Sequence, residues 1–387
     1  MRANAHELPK FVAPEVVFGV GARRLAGQYA ASLDAKRALL VTDPGVVRAG
    51  WAEQVQQSLA EAGVAYSVFS AISPNPRDWE MMSGAEHYRQ HGCDVIVAIG
   101  GGSVIDCAKG IGVVSSNHRH ILEFEGVDKV AEPMPPVICI PTTGGTSADV
   151  SQFVIVSDRK LRTKIAIISK STVPDVSLVD PETLTTMDPF LTACTGMDAI
   201  VHAVEAFVSN AHSPLTDCHA LQAIRLVYPN LAPCVREPSN VEMRTQVMLG
   251  SLEAGLAFSN ASLGAVHAMA HSLGGYLDLP HGECNTLLLR HVAAFNFESA
   301  SDRYEQVGLA MGLDLRGMRT SEKLAAVLAG IESLRSELGV TGTLASRGVK
   351  GSDVSSLAQQ AMGDACLVTN PRRPNRRDLE VIYEEAL

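Results

Sequence analysis

No cluster of lysine and arginine marks this chain for nucleic acid. Acids outnumber bases by 42 to 32, a net charge of −10. The basic run Arg372, Arg373, Arg376 and Arg377 reads as a solvated turn near the C-terminus. The opening MRANAHELPKFVAPEVVFG has no basic segment leading into an apolar one, so no secretory signal is expected. No window of about 18 apolar residues runs free of charges or helix breakers, which argues against a membrane span. None of the eight cysteines forms a CxxC pair. Cys93, Cys107, Cys139, Cys194, Cys218, Cys234, Cys284 and Cys366 are scattered, as expected of reduced thiols in a cytoplasmic protein and not of a disulfide framework. There is no internal repeat and no low-complexity segment. What is present is 387 residues, 46% hydrophobic and 19% charged, enough for a substantial core and two domains. These balances suit a soluble enzyme acting on small molecules.

The two halves differ in texture. In the first, β-branched runs such as RALLVTDPG (37–45), DVIVAIGGG (94–102) and PPVICIPTT (135–143) alternate with helical stretches such as AEQVQQSLAEAG (52–63) and MSGAEHYRQHG (82–92). Continuous apolar strands separated by helices predict a parallel sheet covered on both faces. Ligands of such sheets bind beyond the carboxyl ends of the strands, where Asp43, the Gly100–Ser103 turn and Thr142–Thr143 fall. Near residue 185 the pattern changes. GMDAIVHAVEAFV, SPLTDCHALQAIRLV, SNVEMRTQVMLGSLEAGLAF and LGAVHAMAHSLGG read as helices broken at Pro, Gly and Ser-Asn. The expected architecture is an α/β, Rossmann-like dinucleotide-binding domain over 1–185 and an all-α domain over 186–387.

DVIVAIGGGSVIDCAKG (94–110) reads as strand, glycine turn and helix start. Successive glycines let the backbone approach a ligand closely, and the free N–H groups of the next helix can receive a pyrophosphate. The run is not GxGxxG, because Ile105 takes the third position; a tight turn without a ligand is the competing reading. Asp106 is expected in the first helical turn, where negative charge suits the helix dipole. PTTGGTSADVS (141–151) brings hydroxyls at Thr142, Thr143, Thr146, Ser147 and Ser151, which can complete a phosphate cradle or simply satisfy a turn. Asp43, ending RALLVTD, can hold an adenosine ribose and repel a 2′-phosphate, favouring NAD over NADP. A helix cap before Pro44 reads equally well.

GMDAIVHAVEAF (196–207) sets Asp198 and His202 at i and i+4, on one helical face. AVHAMAHSLGG (265–275) repeats the spacing with His267 and His271, and His281 follows in a Pro-His-Gly segment that reads as a loop. A lone histidine is more often a hydrogen-bonded helix residue than a ligand. Polar groups recurring on otherwise apolar faces are costly unless they share a cation. One carboxylate and imidazoles suit Fe²⁺ or Zn²⁺. Spacing alone leaves five candidates for four places and does not choose between His267 and His271.

Taken together, GGGSVIDCAK, PTTGGTSADVS, GMDAIVHAVEA, AVHAMAHSLGG and LPHGECNTLLLRHV resemble the iron-containing (group III) alcohol dehydrogenases, in order and spacing along nearly the whole chain. The resemblance implies the dehydroquinate synthase-like fold of that family. It implies a metal, Fe²⁺ or else Zn²⁺, held by Asp198, His202, His267 and His281. It also implies an NAD site lined by Asp43, Asn75, Gly101, Gly102, Ser103, Asp106, Thr142, Thr143, Ser151 and Lys164. The candidate catalytic residues are then His267, as a ligand, and His271, near the nicotinamide, where it could relay a proton. The implied reaction is hydride transfer between a small primary alcohol, or its aldehyde, and NAD. FVAPEVVFGVG is expected to pair with its twin in a homodimer or higher homo-oligomer.

Asp149 stands where the family usually has Glu, Gly144 where Ala is frequent, and Thr286 where Ala is common. These departures are expected to alter the substrate pocket. A polyol or hydroxy-acid dehydrogenase, of the glycerol, lactaldehyde or 4-hydroxybutyrate kind, is the alternative. A lyase would need a cluster of Lys and Arg that the helices lack. A non-catalytic sensor of NAD or metal is the remote reading. No nucleic-acid or membrane partner is expected.

Overall fold

The computed structural model describes residues 10–158 and 163–387. Residues 1–9, read above for a secretory signal, and residues 161–162 of LRTKIAIISK lie outside them. The first half holds β1 (Glu15–Phe18), β2 (Arg37–Val41), β3 (Ala65–Phe69), β4 (Val95–Gly100), β5 (Gly126–Val127), β6 (Val137–Pro141), β7 (Phe153–Asp158), β8 (Thr163–Ile168) and β9 (Val176–Val179). Six of these form one sheet in the order β1-β9-β6-β4-β2-β3, parallel throughout. The inner strands β4 and β6 are buried at every residue, which is why they read as unbroken apolar runs rather than alternating ones.

The strand order positions the ligand site. From β2 the chain moves outward to β3, then crosses back to place β4 on the other side of β2, and continues to β6. Such a reversal leaves a crevice at the carboxyl ends of the two central strands. Asp43 follows β2, and the Gly100–Ser103 turn follows β4. The helix after β4 runs Gly102–Asn117 with Gly101 as its N-cap. Asp106 is therefore its fifth residue, in the second turn and not the first: the helix begins inside the glycine run.

The small sheet β5-β8-β7 was not foreseen from periodicity. Its β7–β8 pair is antiparallel, with Ser157 opposite Lys164, and carries Lys164 to the cleft.

Strands stop at Val179 and the first long helix, Pro189–Val208, starts after a 3₁₀ turn at Pro181–Thr186. Pro189 occupies the first helical position, and the Asp188 side chain accepts the Leu191 N–H at 2.9 Å, a pairing that satisfies an orphan donor of the first turn. Further helices span Pro214–Arg236, Val241–Ala261, Ala265–Leu277 and His281–Asn296. Proline did not break helix Pro214–Arg236 as expected. The helix runs through Pro229 and Pro233. Burial of Ala220, Ala223, Ile224, Val227, Leu231 and Cys234 along one face outweighs the roughly 3 kcal/mol an interior proline costs. Helix Pro189–Val208 is apolar and long enough to cross a membrane, but 94% of its apolar window is buried within the molecule; it is the central helix of the second core.

Candidate metal and nucleotide site

On the sheet side, two loops meet closely. A Cβ on Gly102 would lie 2.8 Å from the Thr146 side chain, so only glycine lets the helix N-terminus and the second loop approach this near. Lys109, fully buried, holds the second loop in place. Its Nζ donates to the carbonyls of Ala148 (3.0 Å), Ser151 (2.8 Å) and Phe153 (2.5 Å). The helix opens with Gly102 and Ser103, whose N–H groups have no carbonyl within the helix to bind.

Asn75, Gly102, Ser103, Asp106, Ser151 and Lys164 line a common cleft with Asp198, His202, His267, His271 and His281. Asn75 sits in the left-handed region at φ 56°, a conformation asparagine tolerates better than most residues. Its N–H donates to Ser103 Oγ at 3.2 Å, its Oδ1 accepts from Lys164 Nζ at 2.7 Å, and its Nδ2 donates to Asp278 at 2.8 Å. Arg77 pairs with the same Asp278 carboxylate at 2.8 Å, so one aspartate ties the nucleotide-side loop to the segment before His281. Burial pushes the Asp106 carboxyl up to about 7 against the pull of Lys109 and Lys164.

Asp43, Gly101, Thr142 and Thr143 lie outside that cleft, at the strand ends. Asp43 is a helix cap: its Oδ1 accepts the N–H groups of Gly45 (2.6 Å) and Val46 (2.9 Å). Thr143 Oγ1 is buried without a hydrogen-bond partner among the described residues.

On the helical side, one oxygen gathers three imidazoles. Asp198 Oδ1 lies 3.7 Å from His267 Nε2, 3.8 Å from His281 Nε2 and 3.9 Å from His202 Nε2. Asp198, His267 and His281 have their ligating atoms within 4.8 Å of one another; His202 falls outside this tightest group while facing the same oxygen. His281 is not on a loop as expected. It is the first residue of helix His281–Asn296, with Pro280 as N-cap.

Carboxylates and carbonyls behind the rings orient them. His267 Nδ1 meets Glu205 Oε2 at 2.6 Å, and His202 Nδ1 meets the carbonyl of Gly145, in the second glycine loop, at 3.1 Å. Such partners fix which imidazole nitrogen is free to ligate. His271, one turn beyond His267, instead turns its Nδ1 to Asp364 Oδ2 at 2.7 Å.

The protonation pattern suits a cation. Against its burial penalty, Asp198 is held well below the usual carboxylate range by His202 and His281. Burial pushes His202 down to about 4 and His281 well below its usual value. Burial also opposes charge on His267, but Asp198 and Glu205 prevail and lift it to about 9. Burial would raise Asp364, yet His271 and the Cys366 N–H hold it at about 2. A further sign is that His281 Nδ1 and Asn285 Oδ1 are buried without partners among the described residues. Asn285 Nδ2 lies 2.6 Å from Asp198 Oδ1 and 3.2 Å from the Nε2 atoms of both His267 and His281. One N–H₂ group thus sits against a carboxylate oxygen and two imidazole nitrogens that together make a natural donor set for Fe²⁺.

Glu205, Asn285, Asp278, Asp364 and Lys109 escaped the sequence reading. Glu205 shares a helical stripe with Asp198 and His202, and Asn285 follows His281 by one turn; those spacings were the available signals. The three departures from the family pattern do not face the cleft. Asp149 accepts from Ser177 Oγ at 2.6 Å, a Cβ on Gly144 would meet Leu184 at 3.2 Å, and Thr286 bonds the Gly282 carbonyl at 2.6 Å. None of the three is among the residues that line the cleft.

A Rossmann-like half facing a helical half that gathers one carboxylate and three imidazoles defines a metal-dependent, nucleotide-linked oxidoreductase. Residues 13–181 match the family described as iron-containing alcohol dehydrogenase, and residues 192–387 match the Fe-containing alcohol dehydrogenase family, C-terminal. The chain is 37% identical to 1,3-propanediol dehydrogenase of Klebsiella pneumoniae over 379 residues, 97% of this chain and 98% of that protein. It is 34% identical to the NAD-dependent methanol dehydrogenase of Bacillus methanolicus over 377 residues, 97% and 99% of the two chains. The solved structure of a 1,3-propanediol oxidoreductase superposes with a TM-score of 0.96 at 36% identity, covering 98% of this chain and 100% of that one. The protein belongs to the iron-containing alcohol dehydrogenase family. It is an oxidoreductase that interconverts alcohol and aldehyde, with NAD and Fe²⁺ as cofactors.

Proposed function

We propose that the chain oxidises small primary alcohols, or reduces their aldehydes, in the cleft between a nucleotide domain (1–185) and a metal domain (186–387). The observation that carries this reading is the convergence of Asp198, His202, His267 and His281 on the wall of the cleft that Ser103, Asp106 and Lys164 line from the sheet side. Phe153, Ile155, Phe258 and Leu263 supply large apolar side chains to the same lining. They suit a short carbon chain, and Thr146, Ser151 and Ser157 add hydroxyls to the same lining. The names of the propanediol and methanol dehydrogenases agree with small substrates bearing a primary hydroxyl.

In this reading Asp198, His202, His267 and His281 hold the metal. A cation held there would supply Lewis acidity toward an alcohol oxygen, and NAD in the cleft would supply the hydride acceptor. The N–H groups of Gly102 and Ser103, at the start of helix Gly102–Asn117, would hold the pyrophosphate. Gly101, Thr142, Thr143 and Ser151 shape the loops around it. Asp43 Oδ2, not used by the cap, would accept a ribose hydroxyl and disfavour NADP. Asn75 and Lys164, joined at 2.7 Å, would hold the cofactor from the cleft lining they share with Asp106. His271, buried beside His281 with ring centroids 5.3 Å apart, carries the hydroxyl proton away from the cleft. Strand β1 ends the six-stranded sheet, and its outer edge pairs with a second copy in a homodimer or larger homo-oligomer. The protein works in the cytoplasm, without nucleic-acid or membrane partners.

The test is NADH formation by protein loaded anaerobically with Fe²⁺, or with Zn²⁺, on ethanol, propanol, 1,2-propanediol, glycerol and 4-hydroxybutyrate. The simple primary alcohols are expected to turn over fastest. Absence of turnover with every alcohol, while NAD and metal are bound, would establish a sensor instead.

A further inference from the structure

His271 and His267 lie one turn apart on helix Ala265–Leu277, and each has its own carboxylate on Nδ1. The carboxylate behind His267 serves the metal cluster. The one behind His271, Asp364, comes from the far C-terminal part of the chain and touches none of the four ligand side chains by any hydrogen bond or ion pair among the described residues. Its two oxygens do different work. Oδ1 accepts the Cys366 N–H at 2.8 Å and so caps the 3₁₀ turn Ala365–Thr369, which fixes the carboxylate plane. Oδ2 is left 2.7 Å from His271 Nδ1.

An ionised carboxylate only accepts hydrogen bonds. Nδ1 of His271 must then be the protonated nitrogen. In the neutral ring the lone pair then falls on the opposite nitrogen, Nε2, on the side of the ring away from Asp364. We propose that Asp364 is the positioning residue of His271, fixing its tautomer and ring plane so that a basic nitrogen faces the cleft. This rests on the reading of His271 as the group that carries the proton. Without Asp364 the imidazole could rotate or take the other tautomer, and Nε2–H could not receive a proton. A buried carboxylate with this task is worth far more than its single hydrogen bond suggests, because the wrong tautomer is inactive rather than weaker.

Asp364→Asn keeps the size of the side chain and presents an N–H₂ group that favours the opposite tautomer. With Fe²⁺ loaded, kcat is expected to fall about 10- to 100-fold, with iron content, NADH affinity and the KM for alcohol within about twofold of the parent. Made on top of His271→Ala, the same change should cost nothing further. An equal loss in both backgrounds would overturn the proposal, since Asp364 would then act through packing alone. A second measurement does not depend on the variant folding. ¹⁵N shifts of labelled histidines in the unaltered protein, with His271→Ala to assign the signal, should show Nδ1 protonated and Nε2 bare; the reverse pattern refutes the assignment. If His271→Ala alone keeps full kcat, the proton-carrying reading falls, while the ¹⁵N pattern still judges Asp364.

Discussion

Glu205 spans the start of helix Ala265–Leu277 and the imidazole of His267: its Oε1 accepts the Val266 N–H at 2.7 Å, and its Oε2 lies 2.6 Å from His267 Nδ1. The carboxylate thus sits at a helix N-terminus and behind a ligand at once, buried on both counts. Glu205→Gln keeps the shape but removes the charge that makes His267 electron-rich. Metal affinity should fall about 10- to 100-fold, read by competition against a chelator, with the far-UV circular dichroism unchanged.

His267 and His271 should separate cleanly by metal analysis. His267→Ala removes a group 3.7 Å from Asp198 Oδ1 and should leave the protein without bound iron. His271→Ala should retain iron and lose about 100-fold or more in kcat. Loss of metal in the His271 variant alone would exchange the two roles.

A proton should leave when the metal enters. His267 is lifted to about 9 by Asp198 and Glu205, so at neutral pH the empty cluster carries a proton there, and a ligating imidazole must be neutral. Calorimetry of Zn²⁺ uptake in buffers of different ionisation enthalpy should report about one proton released per site at pH 7. The release should fade as pH rises through about 9, where His267 has already lost its proton. Release that does not change across that range would place the proton elsewhere.

Asp106 gives the fold a pH dependence of definite sign. Its carboxyl stands at about 7 in the folded protein because burial disfavours its charge, against a usual value of 3.8. A raised acid favours the folded state only while it stays protonated there. That contribution is lost as pH rises from about 4 to about 7, and ionisation is a full penalty above. Asp106→Asn should therefore raise the melting temperature more at pH 8 than at pH 5, in thermal melts of cofactor-free protein. A gain independent of pH would mean that the carboxylate titrates normally.

Patterns within one turn or one strand were legible before any tertiary structure. The buried strands β4 and β6 announced themselves as unbroken apolar runs. The i, i+4 pairs Asp198–His202 and His267–His271 appeared as polar residues recurring on apolar helical faces. Both signals are local, because strand and helix periodicities bring together residues only a few positions apart. The sequence by itself therefore determined a parallel sheet followed by helices, and a small set of carboxylate and imidazole candidates for a cation. Only the tertiary structure decided how they are used. Glu205 meets His267 across 62 positions and Asp364 meets His271 across 93, while Lys109 reaches loop carbonyls about 40 residues away. One turn of helix separates His267 from His271, yet one ring faces Asp198 and the other Asp364. That choice depends on which neighbouring elements pack against the helix, information that no spacing along the chain contains.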